Sequence, residues 1–215
     1  MSYILPNEMP WQQSGNFWLD SAAARVKSVG LFFGSFNPIH NGHVALAQAI
    51  LQKTALQQVW LVVSPQNPFK KATDLAEDRM RFEMVWLATR ELPDIEACDI
   101  ELQLPLPSYT IHTLEALSAR YPHIEFTILM GADNWVNFDK WHRYEDILAK
   151  YNILIYPRQG SSIPEQLPEG VAATDTPLFN ISATEVRNAV KNFEPIRHLV
   201  PEVVADYIRN NGLYR

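Results

Sequence analysis

His40 and His43 are the first side chains in the chain whose type and spacing could do chemistry. They lie in Gly34-Ser35-Phe36-Asn37-Pro38-Ile39-His40-Asn41-Gly42-His43, where Gly34 and Gly42 let backbone approach a ligand closely and two imidazoles can face one phosphate. A metal pair is the competing reading. It needs a third ligand, and no HExxH-type motif supplies a carboxylate here. A capped turn with one surface and one buried histidine is the plain alternative. Two histidines alone would favour it, but the small residues, Pro38 and the helical periodicity that follows count against it. The glycines form neither GxGxxG nor GxxxxGK[ST], so neither standard phosphate cradle applies. A second group is Asn180-Ile181-Ser182-Ala183-Thr184-Glu185-Val186-Arg187. Ser182 and Glu185 form an S-x-x-E capping box, which fixes a helix start and can turn backbone N–H groups toward an anion. Arg187 follows just over one turn in. On these residues alone, an ordinary capped helix with a solvated arginine is the better reading.

Positioning the histidines requires a strand, a loop and a helix. Val29-Gly30-Leu31-Phe32-Phe33 suits a strand buried on both faces, and Val44, Leu46, Ala47, Ile50 and Leu51 recur at helical spacing. That helix start is expected to aim free N–H groups at the loop. Residues 58–64 form a second apolar run, and the resulting βαβ unit implies a parallel sheet. Asp74 is expected to cap a long helix to about Leu92, residues 95–104 to form a third strand, and Ser108 to cap a helix through Tyr121. Residues 124–130 read as a fourth strand ending in Gly131-Ala132-Asp133-Asn134, 152–156 as a fifth stopped by Pro157-Arg158, and 171–174 as a short sixth. Helices over 182–191 and 201–210 close the chain. Alternating strands and helices predict an α/β fold, a Rossmann-like doubly wound parallel sheet with C-terminal helices. Ligands bind such sheets outside the carboxyl ends of the strands, so loops 34–41, 64–71, 131–134 and 157–158 converge on one site. Residues 1–27 are read as an N-terminal extension before a single domain over 28–215. Trp11, Phe17 and Trp18 suggest that the extension packs on the domain body or on a second subunit, which leaves a homo-oligomer open.

Composition narrows the classes. The chain has 215 residues, a net charge of −6 and no basic block, which argues against nucleic acid as the main partner. Cys98 stands alone, excluding an intramolecular disulfide and a multi-cysteine zinc site. It points to a reducing, cytoplasmic compartment. No apolar run approaches the roughly 20 residues that span a bilayer, and the N-terminus lacks the charged and apolar regions of a secretory signal.

His40-Asn41-Gly42-His43 resembles the [T/H]xGH signature of the nucleotidylyltransferase superfamily, and Ile181-Ser182-Ala183-Thr184 through Arg187 resembles its ISxTxxR motif. Within the superfamily the chain is most similar to the bacterial nicotinate-nucleotide adenylyltransferases, whose first loop reads GGTFDPIHxGH. Phe33 stands for the first glycine, Ser35 for the threonine and Asn37 for the aspartate. Serine keeps the hydroxyl, and asparagine keeps the size and an acceptor oxygen. Ser64 through Lys71 is similar to that family's SxxxPxK loop, Ser108-Tyr109-Thr110-Ile111-His112-Thr113-Leu114 to its SYTxxTL segment, and Gly131-Ala132-Asp133-Asn134 through Trp141 to its GxDxxxxxxxW pattern.

The resemblance implies the nucleotidylyltransferase type of doubly wound fold and transfer of the adenylyl group of ATP to nicotinate mononucleotide, giving deamido-NAD and pyrophosphate. It implies catalytic roles for His40, His43 and Arg187. It implies ATP contacts from Gly34, Ser35, Phe36, His40, Gly42, His43, Gly131, Asp133, Ile181, Ser182 and Arg187. For the mononucleotide it implies Ser35, Asn37, Lys70, Thr110, Asn134 and Trp141, with the indole stacked on the pyridine ring. Mg²⁺ would come with ATP, held by its oxygens and water, with no dedicated protein ligands. Nicotinamide mononucleotide or another phosphorylated acceptor, such as phosphopantetheine, is the alternative substrate. A non-catalytic nucleotide sensor is the alternative of a different class. Retention of His40, His43 and Arg187 counts against the sensor.

Overall fold

A computed structural model describes residues 18–65 and 75–215. The chain begins with α1 (Trp18–Ala23) and β1 (Ser28–Gly34), followed by α2 (Asn41–Lys53), β2 (Gln58–Val63) and α3 (Asp78–Thr89). Then come β3 (Ile95–Cys98), α4 (Ile100–Gln103), α5 (Thr110–Arg120), β4 (Glu125–Gly131) and α6 (Ala132–Trp135). A 3₁₀ turn over Phe138–Lys140 leads to α7 (Tyr144–Lys150), β5 (Asn152–Tyr156), β6 (Val171–Ala173), α8 (Ala183–Lys191) and α9 (Glu202–Asn210).

The strands form one sheet in the order β3-β2-β1-β4-β5-β6, and every neighbouring pair is parallel. This is the doubly wound α/β arrangement. Chain direction across the sheet reverses between β1 and β4, where Leu31 pairs with Ile128 and Phe32 with Leu129. A crevice opens outside the strand ends at such a switch point.

Both sheet faces are covered, which explains the unbroken apolar runs. Side chains alternate along each strand. Phe32, Leu61 and Val63 pack with Leu46, Ile50, Phe82, Val85, Val186 and Val204 of α2, α3, α8 and α9. Leu31, Trp60, Val62 and Ile128 pack on the other face with Ile111, Leu114 and Leu117 of α5 and Ile147 of α7. Leu19 and Ala23 of α1 join this second layer, and Asp20 accepts from Tyr121 Oη at 2.7 Å and pairs with Arg120 at 3.0 Å. Residues 19–26 therefore pack into the layer that covers this face of the sheet. Trp11, Phe17, Lys70, Lys71 and Asp74 lie outside the described residues.

Several boundaries differ from the sequence expectation. The third strand stops at Cys98, and Ile100–Gln103 turns into α4. The alternation of Ile100, Leu102 and Leu104 mimics a strand, but Ile100 is buried where the chain has already left the sheet edge. Tyr109, not Ser108, is the residue preceding α5, and its carbonyl accepts from His112 N at 2.9 Å. Pro201 precedes α9 instead of opening it.

Candidate active site

The switch-point crevice is a cavity of about 610 Å³. Its floor is the loop after β1, one wall is the start of α8, and the other wall comes from α6, the end of β5 and the loop that follows it. Gly34, Ser35, Phe36, Asn37, His40, Gly42, His43, Asp133, Asn134, Ile181 and Ser182 all line it. The two sequence motifs, distant in the chain, thus meet on one surface. Arg187 stands behind this lining: its Nη1 donates to the Asn37 carbonyl at 2.8 Å and its Nη2 to Thr184 Oγ1 at 3.2 Å. A guanidinium has more donors than these bonds use, so a phosphate contact is compatible with them.

The histidine pair has a defined geometry. The two rings stack, with centroids 3.6 Å apart and planes inclined by 22°. His40 N donates to His43 Nδ1 at 3.2 Å. A backbone amide can only donate, so Nδ1 of His43 carries the lone pair and a neutral ring carries its proton on Nε2. Phe36 and Phe32 press edge-on against His43, at centroid distances of 5.0 and 5.9 Å. Phe36 adopts φ +43, an uncommon backbone for a bulky residue, while its ring is buried at 2% exposure. Its ring therefore supports His43. Gly42 allows the stack, since a Cβ there would stand 3.1 Å from His40 Nδ1 and 3.5 Å from Ile181 Cβ.

Both histidines are held neutral. Burial lowers His40 to about 4, assisted by the Arg158 guanidinium. Burial, with His40 and Arg158 adding to it, holds His43 well below the ordinary histidine value. His40 Nδ1 is buried and has no hydrogen-bond partner among the described residues. A buried polar atom of this kind is costly unless a ligand meets it.

The start of α2 differs from expectation. Its N–H groups are partly engaged: Asn41 N donates to the Leu199 carbonyl at 2.8 Å and His43 N to the His40 carbonyl at 2.9 Å. The segment before α9 docks there, and Asn41 Nδ2 donates to the His198 carbonyl at 3.1 Å. The start of α8 keeps its capping box. Ser182 Oγ accepts from Glu185 N at 3.1 Å, and Glu185 Oε2 accepts from Ser182 N at 3.4 Å. A hydroxyl that accepts can still donate its proton to an anion.

Not every expected residue reaches this cavity. Gly131 lies just behind it, where a Cβ would collide with Asp133 Oδ1 and crowd Arg158 Cγ. Thr110 opens α5 and Trp141 is half-buried against Phe138, with centroids 5.5 Å apart; neither lines the cavity. Trp135 also stacks on Phe138, with centroids 5.3 Å apart.

Other groups bear on the site without having been assigned a role from sequence. Arg158 lines the cavity, pairs with Asp133 at 3.4 Å and lies 6.0 Å from the Tyr156 ring centroid. Its position directly after a strand end was the available signal. Arg81 is fully buried behind the floor. Its Nη1 donates to the Ser35 carbonyl, its Nε to the Ala76 carbonyl at 3.1 Å, and its Nη2 to Asp78 Oδ1 at 2.6 Å. Nothing local in the sequence distinguishes Arg81 from a surface helix residue.

Such an arrangement suits phosphate chemistry. Neutral N–H donors, a helix start, a hydroxyl and a neighbouring guanidinium converge, with no nucleophile aligned to a base among the described residues. The lining carboxylates are engaged, Asp133 with Arg158 and Glu185 with Ser182. No group of three or more His, Cys, Asp or Glu side chains among the described residues could hold a metal ion. No helix among them is long and apolar enough to cross a membrane.

Comparison with known proteins agrees with this geometry. Residues 31–189 match the cytidylyltransferase-like family. A protein of Bacteroides thetaiotaomicron named probable nicotinate-nucleotide adenylyltransferase is 45% identical over 87% of this chain and 94% of its own length. One of the same name from Flavobacterium johnsoniae is 42% identical over 87% of this chain and 98% of its own. Among solved structures, the Plasmodium falciparum nicotinic acid mononucleotide adenylyltransferase complexed with NaAD shares the fold, with a TM-score of 0.72 at 20% identity, over 87% of this chain and 97% of that one. The chain belongs to the cytidylyltransferase-like family and, within it, groups with the nicotinate-nucleotide adenylyltransferases.

Proposed function

We propose that this protein is a nucleotidylyltransferase that transfers the adenylyl group of ATP to nicotinate mononucleotide, giving deamido-NAD and pyrophosphate in NAD biosynthesis. The observation that carries this reading is the meeting of the HxGH and ISxTxxR segments on one cavity, in relatives' company that bears the activity in its name. The 5′-phosphate of the mononucleotide attacks the α-phosphorus of ATP in line. The bond from that phosphorus to the bridging oxygen breaks, and pyrophosphate leaves with its electrons. No protein nucleophile takes part, so catalysis is positioning and stabilisation of charge as it develops.

His43 is assigned to the α-phosphate, because its bonded Nδ1 leaves the Nε2 proton as the ring's donor. His40 and Arg187 are assigned to the departing pyrophosphate, with Ser182 at the start of α8 and Arg158 adding positive charge. A neutral, buried His40 gains basicity when phosphates arrive, so its ring becomes more cationic only with substrate bound. A divalent cation such as Mg²⁺, arriving with ATP, would supply further neutralisation of the phosphates. Ser35, Asn37 and Asn134 are assigned to the mononucleotide side, with Thr110 and Trp141 beyond the described cavity. A cytoplasmic location accords with the buried free thiol of Cys98.

Pyrophosphate release from ATP, measured with nicotinate and nicotinamide mononucleotides side by side, tests the assignment. Release that prefers nicotinate supports it. Preference for nicotinamide, or ATP binding with no release, refutes it.

A further inference from the structure

The far end of α8 carries a feature that the transfer site does not use. The helix closes with paired backbone bonds: Phe193 N donates to the Val190 carbonyl at 3.0 Å and Glu194 N to the Ala189 carbonyl at 2.8 Å. This closure needs a left-handed residue just after the cap, usually glycine, which has no Cβ to clash. Here the residue is Phe193, with φ +58. Phe193 is also 89% exposed, while the next most exposed large hydrophobic among the described residues, Val136, is 64% exposed. A phenylalanine in this place costs twice: its backbone is one that a Cβ disfavours, and its ring is left in water. Beside it lies a groove of about 360 Å³, walled by Val190, Ile196, Ala205, Ile208 and Leu213. Arg197, Arg209, Glu194 and Asp206 line it too, charges of both signs. The groove shares no lining residue with the transfer cavity.

We propose that this face joins two copies of the chain, with Phe193 of each copy entering the groove of the other. A knob and a hole side by side on one surface are what a two-fold contact requires, since the same patch must meet itself. The charges fit that occupant. A patch carrying arginines and carboxylates together can match opposite signs with its own copy, whereas a patch of one sign would repel itself. Arg197 pairs with Glu202 at 2.9 Å and Arg209 with Asp206 at 2.9 Å, yet both guanidiniums stay well exposed and keep donors for a carboxylate across the contact. One buried aromatic anchor covers about 150–250 Å². Two of them are a minor share of the roughly 1,200–2,000 Å² that a stable interface buries, so the dimer dissociates on dilution. The proposal does not depend on the substrate of the transfer reaction.

Sedimentation velocity of the full chain over a dilution series, up to the millimolar range, tests it. The wild type should pass from dimer to monomer on dilution. Phe193→Gly removes the ring and suits the left-handed backbone, and it should weaken dimerisation by about 10-fold or more. Hydrogen exchange within residues 190–213 should slow at the higher concentrations in the wild type and not in the variant. At a dilution where the wild type is monomeric, Phe193→Gly should melt no lower than the wild type, since the ring is exposed in its own chain. A wild type that stays monomeric throughout overturns the inference, as does a dimer that Phe193→Gly leaves intact. A variant that melts below the monomeric wild type also overturns it, because the ring would then pack on another segment of the same chain, residues 1–17 included.

Discussion

Replacing His40 by Gln should remove a specific acid sensitivity from the folded protein. Burial and Arg158 take the His40 imidazole from the ordinary 6.5 down to about 4. Between those values the unfolded chain binds a proton that the folded chain refuses. Stability therefore falls as pH drops through 6.5 toward 4, and the penalty is absent above 6.5. At about 1.4 kcal/mol for each pH unit, the loss attributable to His40 is about 3 kcal/mol by pH 4. His43 is lowered in the same direction and adds to the slope, and with its stacked neighbour gone it loses one of the causes of its own depression. Glu96 works oppositely, since burial beside Asp94 raises it to about 7 and acidification favours its folded, protonated form. The difference between wild type and variant, not the raw slope of either, isolates His40 and its effect on His43. Urea unfolding at pH values from 7.5 to 4.5 gives that difference. The two free-energy curves should converge or cross as pH falls. Parallel curves would refute the claim that His40 is held neutral by its surroundings.

Ser182→Ala removes the acceptor for Glu185 N, which should cost about 1 kcal/mol of stability and raise the KM for ATP. A lower melting temperature with an unchanged KM would reduce Ser182 to a helix cap. Trp141→Ala should raise the KM for the mononucleotide more than that for ATP. Equal effects on both would assign the indole to packing against Phe138 alone.

The β1–loop–α2 unit was legible because its apolar run, its small residues and its helical repeat agree with one another, and each is a local signal. The same holds for the Ser182 capping box, which forms as its spacing suggests. Residues 100–104 misled because apolar alternation over a few residues does not say whether a sheet partner is present. Arg81 and Tyr214 were illegible for a different reason. Arg81 reaches Ser35 across 46 positions, and Tyr214 reaches Asn37 across 177. Their meaning exists only after the sheet brings the loop, α3 and the C-terminus together. Neutrality of the histidine pair is likewise a property of burial and of Arg158, not of the HxGH letters. At α2 the free helix start expected from the motif is partly occupied by the Leu199 carbonyl, a contact that depends on where α9 docks.

Pyrophosphate release by His43→Ala, set against wild type with ATP and nicotinate mononucleotide at saturating concentrations, tests the central assignment most directly. Loss of a positioned donor at the reacting phosphate should lower kcat by about 100-fold or more, with the fold intact by circular dichroism. Turnover near that of the wild type would contradict the account.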